Sequence, residues 1–109
     1  MKSDNIAKAV KILEELLAGL NEAYWEASSI ERKDFFYDLI SAIHVEISEI
    51  GKLSVQDHDM MYQPITAEFR AARTKLNRLL AMLDEFVSRS GTATKLAVSI
   101  QDVLLLPDC

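Results

Sequence analysis

The sequence predicts an all-α fold, an antiparallel four-helix bundle with up-down-up-down topology. Apolar residues recur at alternating steps of three and four positions in four separate segments, which is the spacing of amphipathic helices. Most connections between these segments are short, as in helix bundles. Glycine and proline are scarce, with 3 and 2 of 109 residues, which disfavours a β fold rich in turns. We expect three long helices and a shorter C-terminal one.

The first helix is expected at about residues 4–27, with Asp4 or Asn5 as its N-cap. Its main apolar stripe consists of Ile6, Val10, Leu13, Leu17, Leu20 and Tyr24. A second stripe adjoins it and consists of Ala9, Ile12, Leu16 and Ala23. Two adjoining stripes make an apolar face wider than one hairpin partner would cover. We therefore expect this helix to be central in its domain or shared with a second subunit.

The second helix is expected to begin at the motif Ser28-Ser29-Ile30-Glu31, which has the spacing of a capping box. It runs to Ile50 with the same alternating steps, and Gly51 is expected to close it in the left-handed conformation. The connection to the first helix has only a few residues. These two helices are therefore predicted to fold back as an antiparallel hairpin.

The third helix is predicted to run without interruption from Pro64 to Ser90, a length of about 40 Å. Its heptad positions are Ile65, Phe69, Ala72, Leu76, Leu79, Leu83 and Phe86. Gly91 lies just beyond the predicted end. A shorter final helix is expected over 93–106, where Pro107 stops it. Residues 52–63 form the least regular stretch of the chain.

The composition predicts a single globular domain over residues 1–109. Half of the residues are apolar, 27% are charged, and the net charge is −5. This negative charge disfavours binding of nucleic acid by the whole molecule. The longest stretch without charged residues is eight residues, 60–67, against about 20 for a membrane span. One cysteine, Cys109, and no recognisable secretory signal lead us to expect a cytoplasmic protein without membrane contact.

Histidines and carboxylates do not form a recognised metal or cofactor motif, and we expect neither metal nor cofactor. Asp57-His58-Asp59 could hold a divalent cation, but a polar connection that caps a helix is the favoured interpretation. The other histidine, His44, has no potential metal ligand three or four residues away on its helix.

Two carboxylate pairs permit an alternative function. Glu31 and Asp34, and then Glu46 and Glu49, are spaced at i, i+3 on the second helix, as acids that hold magnesium against a phosphate can be. This alternative is a metal-dependent nucleotide or phosphate hydrolase. A solvated acidic face explains the same spacing more simply, so we do not expect an enzyme.

Basic residues cluster on the first half of the third helix, namely Arg70, Arg73, Lys75 and Arg78. The favoured interpretation is that the arginines pair with acids of the first two helices, within the chain or across a dimer. The arginines could also be solvated. A third alternative is a regulator that contacts nucleic acid or another polyanion through Arg70–Arg78, which the acidic remainder of the chain disfavours.

The surplus of apolar surface favours a non-enzymatic protein–protein interaction or regulatory module that forms a homodimer and binds an unidentified protein partner. The double stripe of the first helix indicates this, as do two apolar residues outside the main face of the last helix. Tryptophan is also enriched in binding hot spots. The expected interface residues are Ala9, Ile12, Leu16, Trp25, Val98 and Leu105.

Overall fold

The computed structural model describes residues 5–53 and 61–106, and these ranges confirm the all-α prediction. No residue in them belongs to a β-strand, although Asn5 and Met61 form one isolated bridge. The helices are α1 (Ile6–Glu26), α2 (Ile30–Ile50), α3 (Ala67–Ala81), α4 (Leu83–Phe86) and α5 (Ser90–Leu104).

The four longer helices pack around one apolar core. α1 packs against α2 and α5, α3 packs against the same two helices, and α4 contacts α3 and α5. The largest fully buried side chains in the helices are Leu13, Leu16, Leu20, Phe36, Leu39, Ile43, Ile50, Phe69, Leu76, Leu79 and Leu96. None of the described helices is long and apolar enough to cross a membrane.

The predicted starts of the first two helices are confirmed. The Asn5 side chain accepts a hydrogen bond from the Lys8 N–H at 2.8 Å and caps α1. Ser29 caps α2 by accepting from the Arg32 N–H at 3.2 Å. Because Ser29 rather than Ser28 is the cap, Glu31 lies at the second helical position and not at the third, where it could complete a capping box.

The prediction of one uninterrupted third helix is wrong. Thr66 caps α3, so Pro64 lies before the helix. Met82 ends α3 with φ −126° and ψ 30°, and Val87 ends the four-residue α4 in an extended conformation. The break turns the chain so that Val87 is buried in the core. Gly91 consequently lies in the first turn of α5 instead of following a helix.

Gly51 and Gly19 have different structural roles. Gly51 is right-handed, with φ −63° and ψ −16°, so the predicted left-handed closure of α2 is wrong. The turn closes instead through Gly51 N–H to the Ile47 carbonyl at 2.9 Å. Gly19, by contrast, faces α5, where an added Cβ would lie 3.0 Å from Leu96 Cδ2. The absence of a side chain at Gly19 therefore lets Leu96 of α5 pack closely against α1.

Candidate functional site

Exposed apolar side chains cluster where α1 passes into α2. Trp25 is 76% exposed, Ile30 is 75% exposed and Tyr37 is 58% exposed. We call these three residues the aromatic surface. A cavity of about 190 Å³ opens beside them, and it is lined by Asn21, Tyr24, Trp25, Tyr37 and Ile40. Trp25 and Tyr37 line this cavity, whereas Ile30 does not. Exposed apolar side chains beside a small cavity are typical of contact sites for other proteins.

Lys33 lies against this surface and is already engaged within the chain. Its Nζ donates to the Tyr24 carbonyl at 2.7 Å, which satisfies an acceptor in the last turn of α1. The ammonium lies 4.6 Å from the ring centroid of Tyr24 and 5.6 Å from that of Trp25. The rings of Tyr24 and Trp25 meet edge to face at 5.3 Å. Two aromatic rings here therefore already contact a cation.

A second apolar feature is an open groove between α1 and α5, with a cavity of about 500 Å³. We call it the α1–α5 groove. Small residues leave it open, and Val98 on its edge is 57% exposed. A long ion pair joins Lys95 Nζ to Glu22 Oε2 across it at 3.7 Å. Its lining residues are Glu15, Ala18, Gly19, Glu22, Thr94, Lys95, Val98 and Ser99.

The six expected interface residues fall into two groups. Ala9 and Leu16 are fully buried in the core of the chain itself, and Ile12 is partly buried against that core. The second stripe of α1 is therefore covered within the chain and offers no surplus apolar area, contrary to our expectation. Trp25 and Val98 are exposed, and so is Leu105 after the end of α5. The structure places Trp25 and Val98 at different cavities.

Sequence reasoning did not include Ile30 and Tyr37 among the interface residues. Ile30 is the first residue of α2, and Tyr37 follows it by seven positions, or about two turns. An exposed apolar stripe of this kind could have been read from the spacing. We did not predict this exposed stripe because the core-facing stripe of α2 already explained why the helix is rich in apolar residues.

Glu46 is completely buried, so its interpretation as part of a solvated acidic face is wrong. Its Oε1 accepts from both the N–H and the Oγ1 of Thr66 at 2.9 Å. Its Oε2 accepts from the Ile65 N–H at 2.9 Å and from the Tyr62 hydroxyl. Four donors around one carboxylate at the start of α3 compensate for the burial of its charge.

The buried Tyr62 depends on the same carboxylate. Burial raises the pKa of the Tyr62 hydroxyl far above its ordinary value of 10.0, and the hydrogen bond and negative charge of Glu46 raise it further. The hydroxyl therefore stays protonated and remains a donor to Glu46. This cluster is a structural support for the start of α3, because every group in it is bonded to another part of the chain.

The four acids considered for a hydrolase are not gathered in one place. Glu46 is buried, Glu49 pairs with Lys52 at 2.7 Å, and Glu31 and Asp34 are exposed near the start of α2. Over residues 5–53 and 61–106, no group of three possible metal ligands occurs. The Asp57-His58-Asp59 motif lies outside the described residues.

The arginines of α3 contact main-chain carbonyls and a ring. Arg70 Nη2 donates to the Pro64 carbonyl at 2.9 Å, and Arg73 Nη2 donates to the Leu104 carbonyl at 3.0 Å. Arg78 lies 6.0 Å from the ring centroid of Phe35. An ion pair with α2 is formed by another member of the cluster, since Lys75 Nζ lies 3.2 Å from Asp38 Oδ2.

Three helix ends receive a basic side chain from another helix. Lys33 of α2 donates to the last turn of α1, and Arg73 of α3 donates to the last turn of α5. Arg32 of α2 donates to the Glu85 carbonyl in α4. Cations are favourable at helix C-termini because the carbonyls there carry partial negative charge. These basic residues thus join neighbouring helices.

Comparison with known proteins does not assign the chain. No protein-family model, no curated protein and no solved structure matches it.

Proposed function

We propose that this chain is a non-enzymatic helical interaction module that forms a homodimer through the α1–α5 groove. The observation that supports this best is the groove itself, which is lined by the exposed Val98 and by the small residues Ala18 and Gly19. Small residues let another helix approach closely, and a projecting apolar side chain gives that helix something to pack against.

The charges of the groove suit a second copy of the same chain. Glu15 and Glu22 lie on its α1 side, and Lys95 lies on its α5 side. In a dimer with two-fold symmetry, each contact occurs twice with the partners exchanged. Such an arrangement can place Lys95 of each copy beside an acid of the other copy, so the groove can be complementary to itself.

We also propose an antiparallel topology for the four longer helices. We take α1, α2, α3 and α5 to be an antiparallel, up-down-up-down bundle. The three-residue connection between α1 and α2 and the packing of α3 against both α2 and α5 support this arrangement.

We also propose that the protein is cytoplasmic. A single cysteine leaves no disulfide within the chain, which is consistent with the reducing environment of the cytoplasm.

The mass in solution tests the dimer. Sedimentation velocity over a range of concentrations should give a species of twice the 12.3 kDa chain mass. Val98→Glu places a charge on the apolar edge of the groove and should shift the sample to single chains. Val45→Glu is the matched control, because it makes the same substitution at an exposed valine of α2 outside the lining of the groove. A wild-type protein that sediments as a single chain at every concentration would contradict the proposal, and so would a dimer that Val98→Glu leaves intact.

A further inference from the structure

The aromatic surface has a defined layout on α2. Ile30, Asp34 and Tyr37 occupy positions i, i+4 and i+7, which lie on one face of a helix. Asp34 therefore lies between two exposed apolar side chains. Trp25 of α1 and Tyr37 line the same cavity, so the surface continues across the hairpin. None of the residues lining this cavity lines the α1–α5 groove.

The charge around this surface is negative. α1 and α2 together carry nine acids and four bases, a net charge of −5, whereas α3, α4 and α5 carry four acids and five bases, a net charge of +1. Asp34 is exposed and forms no ion pair within the part of the chain that the structure describes. Lys33, the base beside it, keeps its positive charge, but its Nζ donates to the Tyr24 carbonyl and forms no ion pair with Asp34 in the described part of the chain. A positive ligand would therefore meet an unpaired carboxylate here.

The rings of the surface suit the same ligand. The ammonium of Lys33 lies against the rings of Tyr24 and Trp25, at 4.6 and 5.6 Å from their centroids. Trp25 and Tyr37 remain largely open to solvent, so a further cation can approach them. Cation–π contacts are strongest with tryptophan and tyrosine, and aromatic anchors dominate many protein interfaces.

A second copy of the chain fits this surface poorly. Two-fold symmetry would bring the α1–α2 hairpin, with its net charge of −5, against the same hairpin of the other copy. Like charges placed against each other oppose association. We infer that the aromatic surface binds a positively charged segment of a partner protein, one in which lysine or arginine alternates with apolar side chains. This binding is separate from the proposed dimer, because it uses a different cavity.

The single tryptophan of the chain provides the test, since Trp25 belongs to the surface. The probe is a synthetic amphipathic helical peptide made of leucine and lysine, and its control replaces every lysine with glutamate. The lysine peptide should shift the Trp25 emission to shorter wavelength in a saturable way, and added salt should weaken its binding. No shift, or an equal response to both peptides, would overturn the proposal.

Variants localise the binding. Asp34→Asn should weaken the lysine peptide roughly two- to fivefold, whereas Asp84→Asn, which removes the same charge from α4, should not change it. Trp25→Ala should weaken binding roughly tenfold or more, measured by the fluorescence anisotropy of labelled peptide. Circular dichroism checks that each variant is folded.

One further variant separates this proposal from the dimer. Val98→Glu should abolish the dimer but leave peptide binding unchanged, so that either proposal can fail alone. If Asp34→Asn and Asp84→Asn weaken binding equally, the peptide is attracted by net charge alone and the assignment to the aromatic surface is wrong.

Discussion

Glu46 on α2 accepts two hydrogen bonds from Thr66, the residue that caps α3. One comes from the Thr66 N–H and the other from its Oγ1, both at 2.9 Å and both to Oε1. The same Thr66 oxygen accepts from the Phe69 N–H at 3.1 Å. A single buried carboxylate of α2 thus binds the capping residue of α3 and joins that end of the helix to α2.

Glu46→Gln should destabilise the fold. The amide has an NH₂ group where the carboxylate has an acceptor oxygen, so at least one buried donor would face another donor. We expect a loss of about 1–3 kcal/mol in the free energy of unfolding, measured by urea denaturation. Glu49→Gln is the control. Because its partner Lys52 is exposed, it should cost less than about 0.5 kcal/mol. Equal denaturation midpoints for the two variants would contradict this role of Glu46.

Tyr62→Phe should change how stability depends on alkaline pH. The pKa of Tyr62 is raised in the folded chain, so above about pH 10 the unfolded chain loses this proton first. The stability that comes from the hydroxyl is therefore fully present below pH 10.0 and is lost as the pH rises. The gap in unfolding free energy between wild type and Tyr62→Phe should narrow by about 1.4 kcal/mol between about pH 8 and about pH 11.

The control for this experiment is Tyr37→Phe, which removes an exposed hydroxyl. Its difference from wild type should be the same at both pH values. If the gap for Tyr62→Phe also stays constant, the hydroxyl of Tyr62 does not contribute in the way that its burial indicates.

Gly19→Ala and Gly91→Ala should have opposite effects, although the substitution is the same. At Gly19 the new methyl group would lie 3.0 Å from Leu96 Cδ2, and because Leu96 is fully buried its side chain has little room to shift away. Overpacking of this kind costs about 1–3 kcal/mol. At Gly91 no atom lies within 4 Å, and the loss of chain entropy in the unfolded state should stabilise by roughly 0.4–1 kcal/mol. Thermal unfolding measures both changes. Stabilisation by Gly19→Ala would contradict the prediction, because it would mean that the Leu96 side chain can move aside without loss of packing.

The helices could be predicted because their apolar residues repeat at helical spacing, and Asn5 and the Ser28-Ser29 pair indicated two helix starts correctly. The break at Met82 could not be predicted in the same way. Leu83 and Phe86 continue the heptad beyond it and are partly buried against the core, so the pattern does not change where the helix ends. Periodicity records which residues face the core, and it does not record whether the backbone between them is continuous.

The buried carboxylate was missed although one signal was present. Glu46 lies three residues after Ile43 and four before Ile50, and both isoleucines are buried, so helical spacing places it on the core face. Its partner Thr66 follows twenty residues later, and the stretch between them has no clear periodicity. Sequence could therefore have indicated that Glu46 is buried, whereas the donors that make this burial possible are known only from the structure.

The exposure of Trp25 also determines whether its fluorescence reports unfolding or binding. An indole that is 76% exposed in the native chain is already largely hydrated, so unfolding by heat or urea should shift the wavelength of its emission little. Unfolding of this protein is accordingly better followed by a backbone signal such as circular dichroism. A blue shift of the indole would instead report that another molecule has displaced water from it.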